Sequence, residues 1–175
     1  MENGQNPWSV PVAVDDIPET GLHIEAEAPA EVRAQLVKLA NLRDLPKLSA
    51  AFDLTRRAGG VHVAGQVKAR IGQTCVVTLE PLEDNLDERI DLLFAPPLDA
   101  AAKGNDAGHK IDNEEPPEPL IGDKVDLGAI ATEFLLLGID PYPRKTGAEF
   151  ATFKTADDSA KPFAALAALK KRLGG

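Results

Sequence analysis

Cysteine is nearly missing from this chain: Cys75 stands alone among 175 residues. A single thiol excludes an intramolecular disulfide framework and fits a reducing compartment. Metal-ligand spacing is missing as well. His23, His62, Cys75 and His109 are scattered, with no Cys-x-x-Cys or His-x-x-x-His among them, so no metal or cofactor is expected. No Gly-rich phosphate loop and no nucleophile elbow occurs, and the two strand histidines are too isolated in sequence to build a triad. The start, M-E-N-G-Q-N-P-W, has no basic region followed by an apolar stretch, so no signal peptide is expected. No apolar run approaches bilayer length. The expected location is the cytoplasm.

Positive charge is in short supply too. The formal net charge is -9, and it is unevenly spread: between Glu80 and Asp126 there are 14 acidic and 4 basic residues. Affinity for a nucleic-acid backbone comes largely from Lys and Arg displacing counterions, so a broad RNA-gripping surface is disfavoured. The acidic pairs Glu83/Asp84, Asp87/Glu88 and Glu114/Glu115 flank a strand turn or sit in a loop. Nothing there holds two carboxylates in a cleft with separated pKa values, so they read as solvated charge.

What the chain does have is a strong apolar helix. Asp126 caps its first turn; Leu127, Ile130, Ala131, Phe134 and Leu135 follow at helical spacing, and Leu136 and Leu137 carry the apolar surface further round. With Glu133 as the one charge between its caps, the helix is expected to be covered on more than one side. Phe134→Ala should then cost about 3–5 kcal/mol. Gly138 is placed for a left-handed helix stop, and Pro141 and Pro143 prevent a restart.

The remainder alternates between two periods. Trp8, Val10, Val12 and Val14, then Leu22, Ile24 and Ala26, predict two short strands flanking a turn. A helix with Val32, Leu36 and Leu39 on one face is expected near 30–42. Leu48, Ala50, Phe52 and Leu54, then Val61, Val63, Val67, Ala69 and Ile71, read as a hairpin around Gly59-Gly60 with one buried face. A third run at 74–79 and a fourth at 86–94 complete an antiparallel meander. From Ala95 to Gly122 apolar residues are few and Pro116, Pro117 and Pro119 intervene, which predicts a mobile acidic insertion with fast amide exchange over 99–118. Pro162 opens a last helix to Leu173, with Phe163, Leu166 and Leu169 on one face. The predicted fold class is α+β: an antiparallel β-meander or partly closed barrel with a few packed helices and a long acidic disordered loop, all in one domain over 1–175.

Three stretches carry a family resemblance. They are Val67 to Pro81 (V-K-A-R-I-G-Q-T-C-V-V-T-L-E-P), Val125 to Arg144 (V-D-L-G-A-I-A-T-E-F-L-L-L-G-I-D-P-Y-P-R) and Lys161 to Lys170 (K-P-F-A-A-L-A-A-L-K). Together, in order and spacing, they resemble the YceD family, the large ribosomal RNA subunit accumulation proteins of bacteria and plastids; the D-P-Y-P-R form resembles a proteobacterial branch. Many relatives carry a Cys-x-x-Cys whose second cysteine matches Cys75, but Gly72 stands at the first position, so a metal or redox role for that pair does not transfer.

The resemblance implies a non-enzymatic factor for synthesis, processing or stability of the large-subunit (23S) ribosomal RNA. The partner expected from charge is a basic ribosomal protein or an RNA-processing factor. Candidate contact residues are Asp112, Glu114, Glu115 and Glu118 in the acidic loop, and Tyr142, Arg144, Lys145 and Lys170 at the basic clusters. The rival readings are a generic interaction module unrelated to ribosomes and, more remotely, an RNA-processing enzyme.

Overall fold

The computed structural model describes residues 6–57, 60–96 and 117–149. The order of elements is β1 (Pro11–Ala13), β2 (Leu22–Glu27), α1 (Ala30–Leu39), β3 (Asp44–Arg57), β4 (Gly60–Thr74), β5 (Pro81–Ala95), β6 (Glu118–Pro119), β7 (Lys124–Asp126) and α2 (Leu127–Gly138). The α+β class stands. The main sheet has the order β2-β3-β4-β5-β6, antiparallel except for the short parallel β5–β6 pair, and it is open rather than closed into a barrel.

Strand alternation puts one face of the sheet in the core. Leu48, Phe52 and Leu54 of β3 and Val61, Val63 and Val67 of β4 are fully covered, as the period-2 pattern predicts. Residues one position out of phase, such as Asp53, Lys68 and Asp87, lie exposed on the opposite face. α1 packs against β3, while α2 packs against β4 and β5.

The strand set differs from expectation in the run at 74–79, and it gains the short strands β6 and β7. Residues 75–79 form no strand, because β4 ends at Thr74, paired with Pro81, and the chain reverses there. β-branched composition marks residues that tolerate extended backbone, but the register of the flanking strands decides where the turn falls. Leu79 takes φ 60 to close that turn and is exposed. The two N-terminal strands exist, yet they do not pair with each other. β2 joins the edge of the main sheet through β3, and β1 pairs antiparallel with β7 in a separate two-stranded sheet.

Within the expected acidic insertion, Ala95 still belongs to β5 and Pro119 to β6, while Leu120 is buried and its amide donates to the Ala95 carbonyl. The stretch from 117 to 122 is therefore anchored to the sheet. The last expected helix, near 162–173, lies outside the described residues.

Candidate functional site

α2 begins as its sequence predicts and is then tied down by a contact that the sequence does not show. The Asp126 carboxylate accepts from the amides of Gly128 (3.0 Å) and Ala129 (3.1 Å), capping the helix. It also accepts from the Val10 amide at 2.8 Å and the Ser9 hydroxyl at 2.6 Å, so one side chain caps α2 and fastens the N-terminal segment across it. Gly128 permits this approach: a Cβ there would lie 2.6 Å from the Trp8 carbonyl oxygen.

α2 is covered from more than one side, by β4 and β5 and by the N-terminal segment at Gly128, but not over the whole of its apolar surface. Leu127, Ile130, Ala131 and Leu135 are buried; Phe134 is half-buried, and Leu136 and Leu137 face outward. Gly138 does not adopt a left-handed conformation. It is the last helical residue, and a Cβ on it would lie 2.7 Å from Leu86 Cδ1 and from Glu88 Oε1. With Leu39 of α1 and the aliphatic stem of Lys38, the outward leucines line a groove of about 710 Å³. Leu137 is 72% exposed and Leu39 57%, so the groove exposes apolar surface from both helices. Its sequence signal was the Leu136-Leu137 pair, which carries the apolar stripe beyond the width that one sheet can cover.

Beyond α2 the loop 139–146 lies against the β4–β5 turn. The Val76 amide donates to the Pro143 carbonyl at 2.9 Å, the Lys145 amide to Cys75 Sγ at 3.3 Å, and Lys145 Nζ reaches Glu80 Oε2 at 2.8 Å. Cys75, fully covered, also receives the Thr78 amide at 3.4 Å. Hydrogen bonding from the Thr78 side chain first, then from the Lys145 and Thr78 amides, holds the thiol down at about 6 although burial opposes ionisation. The Lys145 ammonium, by hydrogen bond and charge, holds the Glu80 carboxyl below the usual range. Position 72 is filled from the neighbouring strand, since a Cβ on Gly72 would lie 2.5 Å from Asp44 Oδ2.

This placement sorts the sequence candidates. Tyr142, Arg144 and Lys145 come together on one exposed loop, but Lys145 is paired with Glu80, and Arg144 borders a cleft that also contains Glu83, Asp84 and Asp140. The basic cluster is thus set among acids. Glu118 sits in β6 at the opposite end of β5, about 40 Å away at strand rise. Asp112, Glu114, Glu115 and Lys170 lie outside the described residues.

The polar sheet face brings further pairs together: His23 Nδ1 with Asp53 at 2.7 Å and His62 Nε2 with Asp91 at 2.6 Å, both on exposed surface. The Asp53 hydrogen bond, above all, raises the His23 pKa. Among the described residues, no group of three or more His, Cys, Asp or Glu side chains is placed to hold a metal ion, and no helix is long and apolar enough to cross a membrane.

Fold and surface together define an α+β domain presenting an acidic strand, an apolar groove and a tethered basic loop. The chain belongs to the YceD family: residues 63–170 match the family model described as Large ribosomal RNA subunit accumulation protein YceD. That match takes in most of β4, all of β5, the Cys75 turn, α2 and the loop after it, and leaves out β1, β2, α1 and β3. No match is found among curated proteins or among solved structures.

Proposed function

We propose that this chain is a non-enzymatic cytoplasmic factor that supports accumulation of the large-subunit (23S) ribosomal RNA by binding a protein partner during ribosome assembly. Family membership over residues 63–170 is the observation that carries the reading. The partner that the charge favours is a basic ribosomal protein or an RNA-processing factor, because the acidic excess between Glu80 and Asp126 attracts cations and repels phosphate. The pairing of Lys145 with Glu80 supports a protein partner over naked RNA, since that ammonium is already engaged.

Sedimentation of ribosomes from a strain lacking the gene tests the reading. Loss of mature large subunits is expected; an unchanged profile would mean an interaction module with no ribosomal role. Affinity purification at low and then high salt should recover basic ribosomal or processing proteins and lose them as salt rises, because screening weakens exposed charge contacts. Turnover of precursor RNA by the purified chain would instead make it an enzyme.

A further inference from the structure

β5 runs for 15 residues, and its inner edge pairs with β4 without a register shift from Pro81 to Phe94. Its outer edge, among the described residues, is paired only at Phe94 and Ala95, where β6 lies alongside. The Leu120 amide donates to the Ala95 carbonyl at 2.8 Å, which shows that Ala95 presents its backbone groups outward. The side to which a strand residue turns both its N–H and its C=O alternates along the chain. Every second residue back from Ala95 (Leu93, Asp91, Arg89, Asp87, Asn85, Glu83) therefore turns both groups to the outer edge, although the Asn85 N–H already donates to Asp84 Oδ1 at 2.8 Å. Eleven residues of strand, about 35 Å at strand rise, are left as a template.

Proteins blunt such edges with bulges, prolines or charge. Here no bulge interrupts the pairing with β4, and no proline lies between Leu82 and Ala95. The edge strand carries a net acidic charge instead: Glu83, Asp84, Asp87, Glu88 and Asp91 against Arg89. Glu83 is paired to Arg70, Asp91 to His62 and Asp87 to Gln66 of β4, which leaves Asp84 and Glu88 without such a partner among the described residues. Like charges facing each other across strands disfavour a second copy of the same edge, whereas a strand rich in Lys and Arg meets opposite charge along its whole length. β6 already shows that this edge accepts an added strand at one end.

We propose that the outer edge of β5 from Glu83 to Leu93 docks an extended, Lys- or Arg-rich segment of a protein partner, which adds to the sheet as a further strand next to β6. Backbone hydrogen bonds supply the affinity and the acids select the sequence. The proposal rests on the protein-contact reading above and names the chemistry of that partner.

The test titrates the full isotope-labelled chain with a ten-residue peptide alternating Lys and Val, at low ionic strength. Two controls are used: the same peptide with methylated backbone amides, which keeps its charge, and a version with Glu for Lys. The basic peptide should shift and protect the amides of Asp87, Arg89 and Asp91. Methylation should weaken it by about tenfold or more, because several net-favourable hydrogen bonds are lost, and the Glu version should not bind. Equal binding of the two basic peptides would overturn strand addition. So would protection of these amides in the free chain, a response at β2 or the α1–α2 groove alone, or a response at β5 to single-stranded RNA and none to the peptide.

Failure of the function reading shows differently. If the peptide pairs as described and D87K/D91K abolishes pairing while cells lacking the gene keep normal large subunits, the edge binds a strand but the ribosomal role is wrong. If deletion depletes large subunits and no peptide pairs, the role stands and the edge proposal falls.

Discussion

Cys75 shows how a residue's chemistry follows from its neighbours. Its folded pKa, about 6, lies below that of an ordinary thiol. The linked stability is present above the ordinary thiol pKa and is lost as pH falls through about 6. Thiolate absorbance of the folded chain should titrate with a midpoint near that value, and Thr78→Val, which removes a hydroxyl placed between the sulfur and Glu80 Oε2 (3.2 Å away), should raise it; an unmoved midpoint would show that the hydroxyl proton goes to Glu80. Low pKa does not mean high reactivity here, because the sulfur is fully covered. Alkylation should be slow in the folded chain and severalfold faster in Lys145→Ala, which frees the loop from Glu80. Leu135 and Phe134 make a second residue-scale contrast. Leu135 is fully buried while Phe134 is only half-buried, so Leu135→Ala should cost about 2–5 kcal/mol and Phe134→Ala less, as read from urea unfolding.

At the scale of elements, glycines mark where pieces touch. In Gly128→Ala the new methyl meets Trp8 and Ser9 backbone, which cannot swing aside as a side chain can. A loss of about 1–3 kcal/mol is expected, with faster amide exchange at Val10 and Leu127; an unchanged unfolding midpoint would mean that the N-terminal segment does not close over α2. Gly138→Ala meets only the ends of Leu86 and Glu88 side chains and should cost less. The misread run at 75–79 belongs here as well. Val76, Val77 and Thr78 have strand-like composition, but the backbone bonds of this stretch go to the loop after α2 and within the turn itself: Val76 donates to Pro143, Cys75 to Glu80 and Leu79 to Cys75.

For the whole molecule, the distribution of charge decides between partners. Neutralising Asp112, Glu114, Glu115 and Glu118 should weaken partner recovery in low-salt purification, with the melting temperature measured alongside as a check on the fold. Arg144→Ala with Lys145→Ala tests direct RNA contact. If the basic double variant loses large-subunit accumulation and the acidic quadruple variant keeps it, RNA and not a basic protein is the partner. If neither matters, the contact lies elsewhere, and the α1–α2 groove with Leu39, Leu136 and Leu137 becomes the place to substitute.

Sequence alone determined what depends on neighbours close along the chain. Alternation at 48–54 and 61–71 named the buried face of the hairpin, Asp126 announced its own helix, and three ordered motifs named the family. What sequence left open was decided by groups far apart in it. Asp126 meets Val10 116 residues away, and Lys145 meets Cys75 70 residues away. Backbone hydrogen bonds look the same whatever the side chains, so period-2 runs say which face is buried but not which strand lies alongside. For that reason the separation of β1 from β2, the open sheet and the length of β5 left unpaired among the described residues could be read only from the fold. The exposure of Leu136 and Leu137 has the same origin: an apolar stripe states how much surface a helix can bury, and the number of layers packed around it states how much it does.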